Sequence, residues 1–160
     1  MKKKPTEDAL AALWSGDLRR VEKALASTDL NHADGEGRTL LMEAVLEKRL
    51  DLVRILLEHG ADPARSDREG ATALHFAAQA HLPEVVQLLL DKGAPVDPLD
   101  HLGQTPLFRA LSTFRGEAEG AAIWTLLLAD ADPTMKNKHG VSPGDLSHRP
   151  SNYDREQFFR

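Results

Sequence analysis

One phrase, written three times, constrains this chain more than any other feature. Asp-x-x-Gly-x-Thr stands at Asp34–Thr39, at Asp67–Thr72 and at Asp100–Thr105, and its glycines Gly37, Gly70 and Gly103 fall 33 residues apart. A fourth glycine, Gly140, follows after 37. Self-similarity at such a period marks a stacked repeat, because one unit cannot bury its own apolar face and needs neighbours to do so.

Within each unit the residue types have separable jobs. Gly70 falls where a tight turn needs positive φ, which a side chain would penalise. Thr72 offers a hydroxyl to cap the helix that follows, and Thr105 precedes Pro106, the pairing suited to the N-cap and first helical position. The first helix places Leu74, Ala77 and Ala78 on one side, the small alanines letting neighbours approach closely. A second helix over "LPEVVQLLLDKGA" turns Val85, Val86, Leu88 and Leu89 inward at helical spacing. Gly93, like Gly60, ends it as a C-terminal cap.

These residues resemble the ankyrin repeat family. The likeness is carried by Asp34-x-x-Gly37-x-Thr39, Asp67-x-x-Gly70-x-Thr72-x-Leu74-His75-x-Ala77-Ala78 and Asp100-x-x-Gly103-x-Thr105-Pro106-Leu107, with the closers "LLEHGADP" and "LLLDKGAP". It spans about Ala9 to Leu146. The resemblance implies an all-α solenoid of stacked helix-turn-helix pairs with β-turn fingers along one edge. It also implies binding of other proteins through those fingers and the concave face of the first helices. His75 matches the family's structural histidine, expected to tie neighbouring turns together.

The expected organisation is one domain: a capping unit over 1–33, full repeats over 34–66, 67–99 and 100–136, and a degenerate cap over 137–160. The first unit lacks a finger of its own and carries Glu7, Asp8, Arg19 and Arg20 on a polar outer face. The last keeps Gly140, Ser142 and Pro143 but has Gly144 where Leu is expected. Ser151 and Asp154 suggest a capping box for a short final helix, whose Phe158 and Phe159 would seal the stack. The third repeat carries extra residues near 112–122. Matching Ala131 to Ala94 inserts four and leaves Trp124 exposed opposite Gln87. Matching Leu126–Leu128 to Leu88–Leu90 inserts five and buries Trp124 opposite Val86; this second alignment is preferred because it keeps Thr125 opposite Gln87.

Composition narrows the function classes. A net charge of −5 disfavours a phosphate backbone as partner, leaving only Lys2–Lys4 as a basic run. The chain has no cysteine, which removes disulfides, thiol catalysis and cysteine-ligated zinc and is compatible with the cytoplasm. Pro5, Glu7 and Asp8 interrupt a would-be leader after three lysines, so no signal peptide is expected. No apolar run approaches the ~20 residues that span a bilayer. With repeats and caps filling the sequence, no catalytic domain is expected either. Glu43 and Glu47 are paired acids at i and i+4, but no nucleophile or enclosed pocket accompanies them, and an open groove cannot exclude water. Neither cofactor nor metal is expected. A phosphate-binding glycine loop is missing, and His75 and His81 are six residues apart, on different sides of a helix.

The expected function is non-catalytic binding of a protein partner by a monomer, as an inhibitor or immunity-type blocker or else as a bridging adaptor. Candidate contacts are Trp14, on the concave side of the capping unit, and the variable column Glu43, Phe76 and Arg109, where an aromatic is informative. Glu47 extends its acidic end. The finger tips read Gly35-Glu36, Arg68-Glu69, His101-Leu102 and Lys138-His139, and Leu102 is the apolar exception among them.

Overall fold

The computed structural model describes residues 11–12, 14–15, 17–115 and 120–147. Among them the helices are α1 (Leu18–Ser27), α2 (Leu40–Leu46), α3 (Leu50–Glu58), α4 (Ala73–Gln79), α5 (Pro83–Asp91), α6 (Pro106–Thr113), α7 (Gly120–Leu128) and α8 (Pro143–Ser147). The first helices α2, α4, α6 and α8 pack in one row, and the second helices α3, α5 and α7 in another. Leu41, Val45, Leu74, Ala78, Leu107 and Leu111 fill the space between the rows together with Val53, Leu56, Val86, Leu89, Ile123 and Leu126, all buried. The stack forms because the helices, α7 apart, are apolar on one stripe and must meet neighbours on both sides.

The repeated phrase builds the fingers. In each, the Asp carboxylate accepts two backbone N–H groups. Asp67 Oδ1 takes those of Glu69 (2.9 Å) and Ala71 (2.8 Å), and Asp100 Oδ1 those of Leu102 and Gln104 (both 2.8 Å). Asn137 does the same for the last finger through its amide oxygen. Fingers are then joined in series by backbone bonds: Arg68 N–H to Glu36 O (3.0 Å), His101 N–H to Glu69 O (2.7 Å) and Lys138 N–H to Leu102 O (2.9 Å). Gly37 has φ +83°, and a Cβ there would lie 2.7 Å from Arg68 N. The glycine therefore serves both the turn and the close approach of the next finger.

Helix starts follow the sequence with one change. Thr39 and Thr105 hydroxyls accept from Met42 N–H (3.4 Å) and Phe108 N–H (3.1 Å). At Thr72 the capping box is completed by a histidine: the hydroxyl lies 3.1 Å from His75 Nδ1, which also accepts the Thr72 N–H at 3.1 Å. With Nδ1 an acceptor, the ring proton sits on Nε2 and donates to Gln104 O across the repeat boundary (3.0 Å). The degenerate repeat starts on a capping box of its own, Ser142 with Asp145, which the sequence reading does not single out. The Ser151–Asp154 box and the Phe158–Phe159 seal lie outside the described residues, as do Glu7 and Asp8.

The alignment preferred from sequence for the third repeat is wrong. Gly120–Leu128 matches Pro83–Asp91 end to end at a step of 37, Ala131 N–H bonds Leu126 O as Ala94 N–H bonds Leu89 O, and both alanines are buried. Four residues are inserted, and Trp124 stands opposite Gln87 with 43% of its surface exposed. The register follows the buried alanine column, Ala61, Ala94 and Ala131, and not the leucine run. Leu88, expected inward, is half-buried. The insertion also changes the link: Lys48 and His81 turn the chain with φ +55° and +52°, whereas Phe114 at the same place has φ −57° and sinks into the core.

Candidate functional site

The concave side is built by the exposed stripe of the first helices. Each N-cap threonine sets the phase, so the residue four positions on points into the groove; Glu43, Phe76 and Arg109 therefore form one column, all half-buried. Two members of the column meet. Arg109 Cζ lies 5.9 Å from the centroid of the Phe76 ring, within cation–π range. The same guanidinium gives Nε and Nη2 to Asp100 Oδ2 at 3.0 and 2.7 Å and Nη1 to Gln79 Oε1 at 3.4 Å. Its side chain is only 15% exposed and that of Asp100 1%. Arg109 is thus held by its own finger, where the sequence suggested a side chain open to a partner.

At the other end Glu43 Oε1 is 3.7 Å from Arg38 Nη1, which also pairs with Glu36 at 3.0 Å. Burial pushes the Glu43 carboxyl up from its ordinary value; the Arg38 charge opposes this, and Asp34, Glu47 and Glu36 add to it. Asp100 is shifted the other way. Burial raises it, but the backbone bond from Gln104 and the bond and charge of Arg109 outweigh that, leaving it below the usual carboxylate range. His75, fully buried behind the column, is pushed down to about 4, chiefly by burial and against the pull of its bond to Gln104. Among the described residues no three metal-ligating side chains gather.

The fingers supply the second part of the surface. Glu36, Arg68, Glu69, His101, Leu102, Lys138 and His139 are exposed in sequence along the hydrogen-bonded row. Glu36, Arg38, Asp67, Arg68 and Glu69 line a charged recess of about 300 Å³ between the first two fingers. Leu102 is 50% exposed at its tip, and Leu99, which the sequence reading passes over, is equally exposed three residues earlier. The signal for Leu99 was present, since Ala33, Ser66 and Lys136 hold the same place in the other units. Glu47 is exposed just past α2, while Trp14 is half-buried and leans on the core. Phe76, Arg109 and the finger shaped by Asp100 are brought together, while Trp14 and Glu47 lie on the two preceding units.

Paired helices, a left-handed glycine in every finger and a ribbon of backbone bonds define a finger-bearing helical solenoid. Residues 9–100 and 63–137 match the family model described as ankyrin repeats (3 copies). Human ankyrin repeat domain-containing protein 13A is 42% identical over 50 residues, 31% of this chain and 8% of that protein's length. The chain belongs to the ankyrin repeat family. Ankyrin repeats generally mediate protein–protein interaction and are typically non-catalytic. No helix among the described residues is long and apolar enough to cross a membrane.

Proposed function

We propose that this chain is a non-catalytic binding module of the cytoplasm that seats one partner protein on its concave face and finger row, covering that partner's working surface. The observation that carries the reading is the continuity of the surface. A half-exposed Phe76 lies stacked on Arg109, and the Asp100 that anchors Arg109 also shapes the finger bearing His101 and Leu102. Half-buried aromatics beside fixed charges are what interface hot spots are made of. Net charge −5, with Glu47 and Glu69 exposed and Glu36 and Glu43 sharing Arg38, suits a basic partner or one with a cationic site. The chain acts as a monomer in this reading, with no nucleic acid, membrane, cofactor or metal involved.

The test is capture from lysate of the source cell by wild type and by a Phe76→Ala, Leu102→Ala double variant of equal melting temperature. A protein held by wild type and lost by the variant supports the site, and inhibition of that protein's activity by the chain supports blocking. Equal capture by both forms would sink the proposed surface. A bridging adaptor is the second reading, favoured by one observation: the outer face of α7 is apolar and exposed.

A further inference from the structure

The outward-facing positions of the second helices form a repeating set at i, i+3 and i+7. On α3 they are Asp51, Arg54 and Glu58; on α5 they are Glu84, Gln87 and Asp91; on α7 they are Ala121, Trp124 and Leu128, and all nine are exposed. Two helices thus present charged or amide groups, several of them internally engaged. Asp51 is paired bidentately with Arg49 (2.9 and 2.7 Å), and Gln87 Nε2 donates to Asp91 Oδ1 (2.7 Å). The third presents none. The hydroxyl of Thr125 on α7 returns to Ala121 O at 2.9 Å. Leu128 is 84% exposed and Trp124 43%. A helix that is apolar all round is ordinarily buried; among the described side chains of this one Ala122, Ile123 and Leu126 sit in the core, while Trp124 and Leu128 are exposed.

What lies beside the stripe restricts its occupant. The face of α5 next to it carries two carboxylates, Glu84 and Asp91, with the one neighbouring cation, Lys92, past the end of the helix at its C-cap. Beyond it Arg54, Pro83, Glu84, Gln87, Leu88 and Asp91 line an open groove of about 410 Å³. We propose that this outer face is a second docking surface, separate from the concave one, and that it takes a helix of another protein with an apolar anchor followed by basic residues. The anchor packs on Trp124 and Leu128. Packed helices lie about 8–10 Å apart, and a helix turn rises about 5.4 Å, so the lysines or arginines that meet Glu84 and Asp91 stand about two turns past the anchor. Acidic neighbours argue against an anionic membrane, which would repel them.

Two fluorescein-labelled helical peptides test this with the full chain. Both share one apolar face; one carries paired lysines about two turns beyond its anchor, the other glutamates there. Anisotropy is expected to show saturable binding of the lysine peptide only. Leu128→Glu should weaken it about tenfold or more, Glu84→Lys with Asp91→Lys should transfer preference to the glutamate peptide, and Phe76→Ala should change nothing. Leu128→Ala of unchanged melting temperature guards against a folding defect and should also weaken binding. Equal binding of both peptides, binding of neither, or indifference to Leu128 overturns the proposal. Self-association, or pelleting with phosphatidylcholine vesicles, that Leu128→Glu abolishes would also overturn it, assigning the stripe to a second copy or to lipid.

Discussion

Asp100 and Arg109 meet on a single oxygen: Oδ2 accepts from Nη2 at 2.7 Å and from Nε at 3.0 Å, while Oδ1 of the same carboxylate holds two backbone N–H groups of the finger. The pair therefore ties the helix that faces the groove to the finger that projects beside it. Asp67 makes the same two backbone bonds, but the matching helical position holds Phe76. Removing the guanidinium leaves a buried carboxylate with its backbone donors alone. Arg109→Ala is expected to cost about 2–3 kcal/mol, read as a shift in urea midpoint. Asp100→Ala should cost more than Asp67→Ala. If Arg109→Ala melted like wild type, the ion pair would be ornament and the residue would be available to a partner.

His75 makes stability depend on mild acid. Its folded-state pKa of about 4 lies below the ordinary 6.5. The neutral ring is therefore favoured by the fold, and the unfolded chain takes the proton first. This contribution is complete above pH 6.5 and is lost as pH falls toward 4, up to about 3 kcal/mol in all. Asp34, Asp51 and Asp100, whose values are lowered, act below that window. Glu43 and Asp97, whose values are raised, work in the opposite sense. Urea unfolding at pH 7 and pH 4.5 should show the loss in wild type and a much flatter profile in His75→Asn. Parallel profiles would mean that the ring is not the titrating group.

Two glycines separate conformation from crowding. Gly37 and Gly140 have φ +83° and +73°, but an added Cβ meets Arg68 N at 2.7 Å in the first and nothing within 4 Å in the second. Gly140→Ala should therefore cost about 1 kcal/mol, for left-handed backbone alone, and Gly37→Ala about 3 kcal/mol, because the next finger must also move. Equal losses in denaturant midpoint would show that the finger ribbon yields freely.

The repeat, the helix pairs and the glycine turns were all legible, because period and turn chemistry are local. The motif's aspartate was legible only as a repeated letter: its work as an acceptor for N–H groups two and four residues on, and its second use at Asp100, emerged only in the folded chain. Nothing in a column that reads Glu43, Phe76, Arg109 announces a partner nine residues upstream of the arginine. The register of α7 failed for a different reason. "GAAIWTLLL" is apolar all round, so hydrophobic periodicity carries no phase, and Trp124 could be assigned to either side. Only Ala131, in the buried alanine column, carried the register. Leu99 was missed because single exposed leucines are common, and its neighbour Leu102 drew the reading to the tip.

A stabilising substitution should exist at Asp97. Its Oδ2 accepts the Asp132 N–H at 2.9 Å, but its Oδ1 is buried with no hydrogen bond among the described residues. Burial raises the pKa, the Asp132 charge raises it further, and the backbone bond opposes both. An earlier junction makes the corresponding link with a neutral side chain, Asn31 Oδ1 accepting the Asp62 N–H at 2.8 Å. Because the folded-state value is raised, the charged carboxylate penalises the fold at neutral pH, and the penalty fades as pH falls through that value. Asp97→Asn keeps the acceptor and removes the charge, so it should gain about 1 kcal/mol at pH 7. The gain should shrink as pH falls into the acid range and the wild-type carboxyl takes up its proton. Thermal melts of both forms across that range would decide it: a gain that did not change with pH would trace to packing, and a loss at pH 7 would mean that the buried oxygen has a partner that an amide cannot replace.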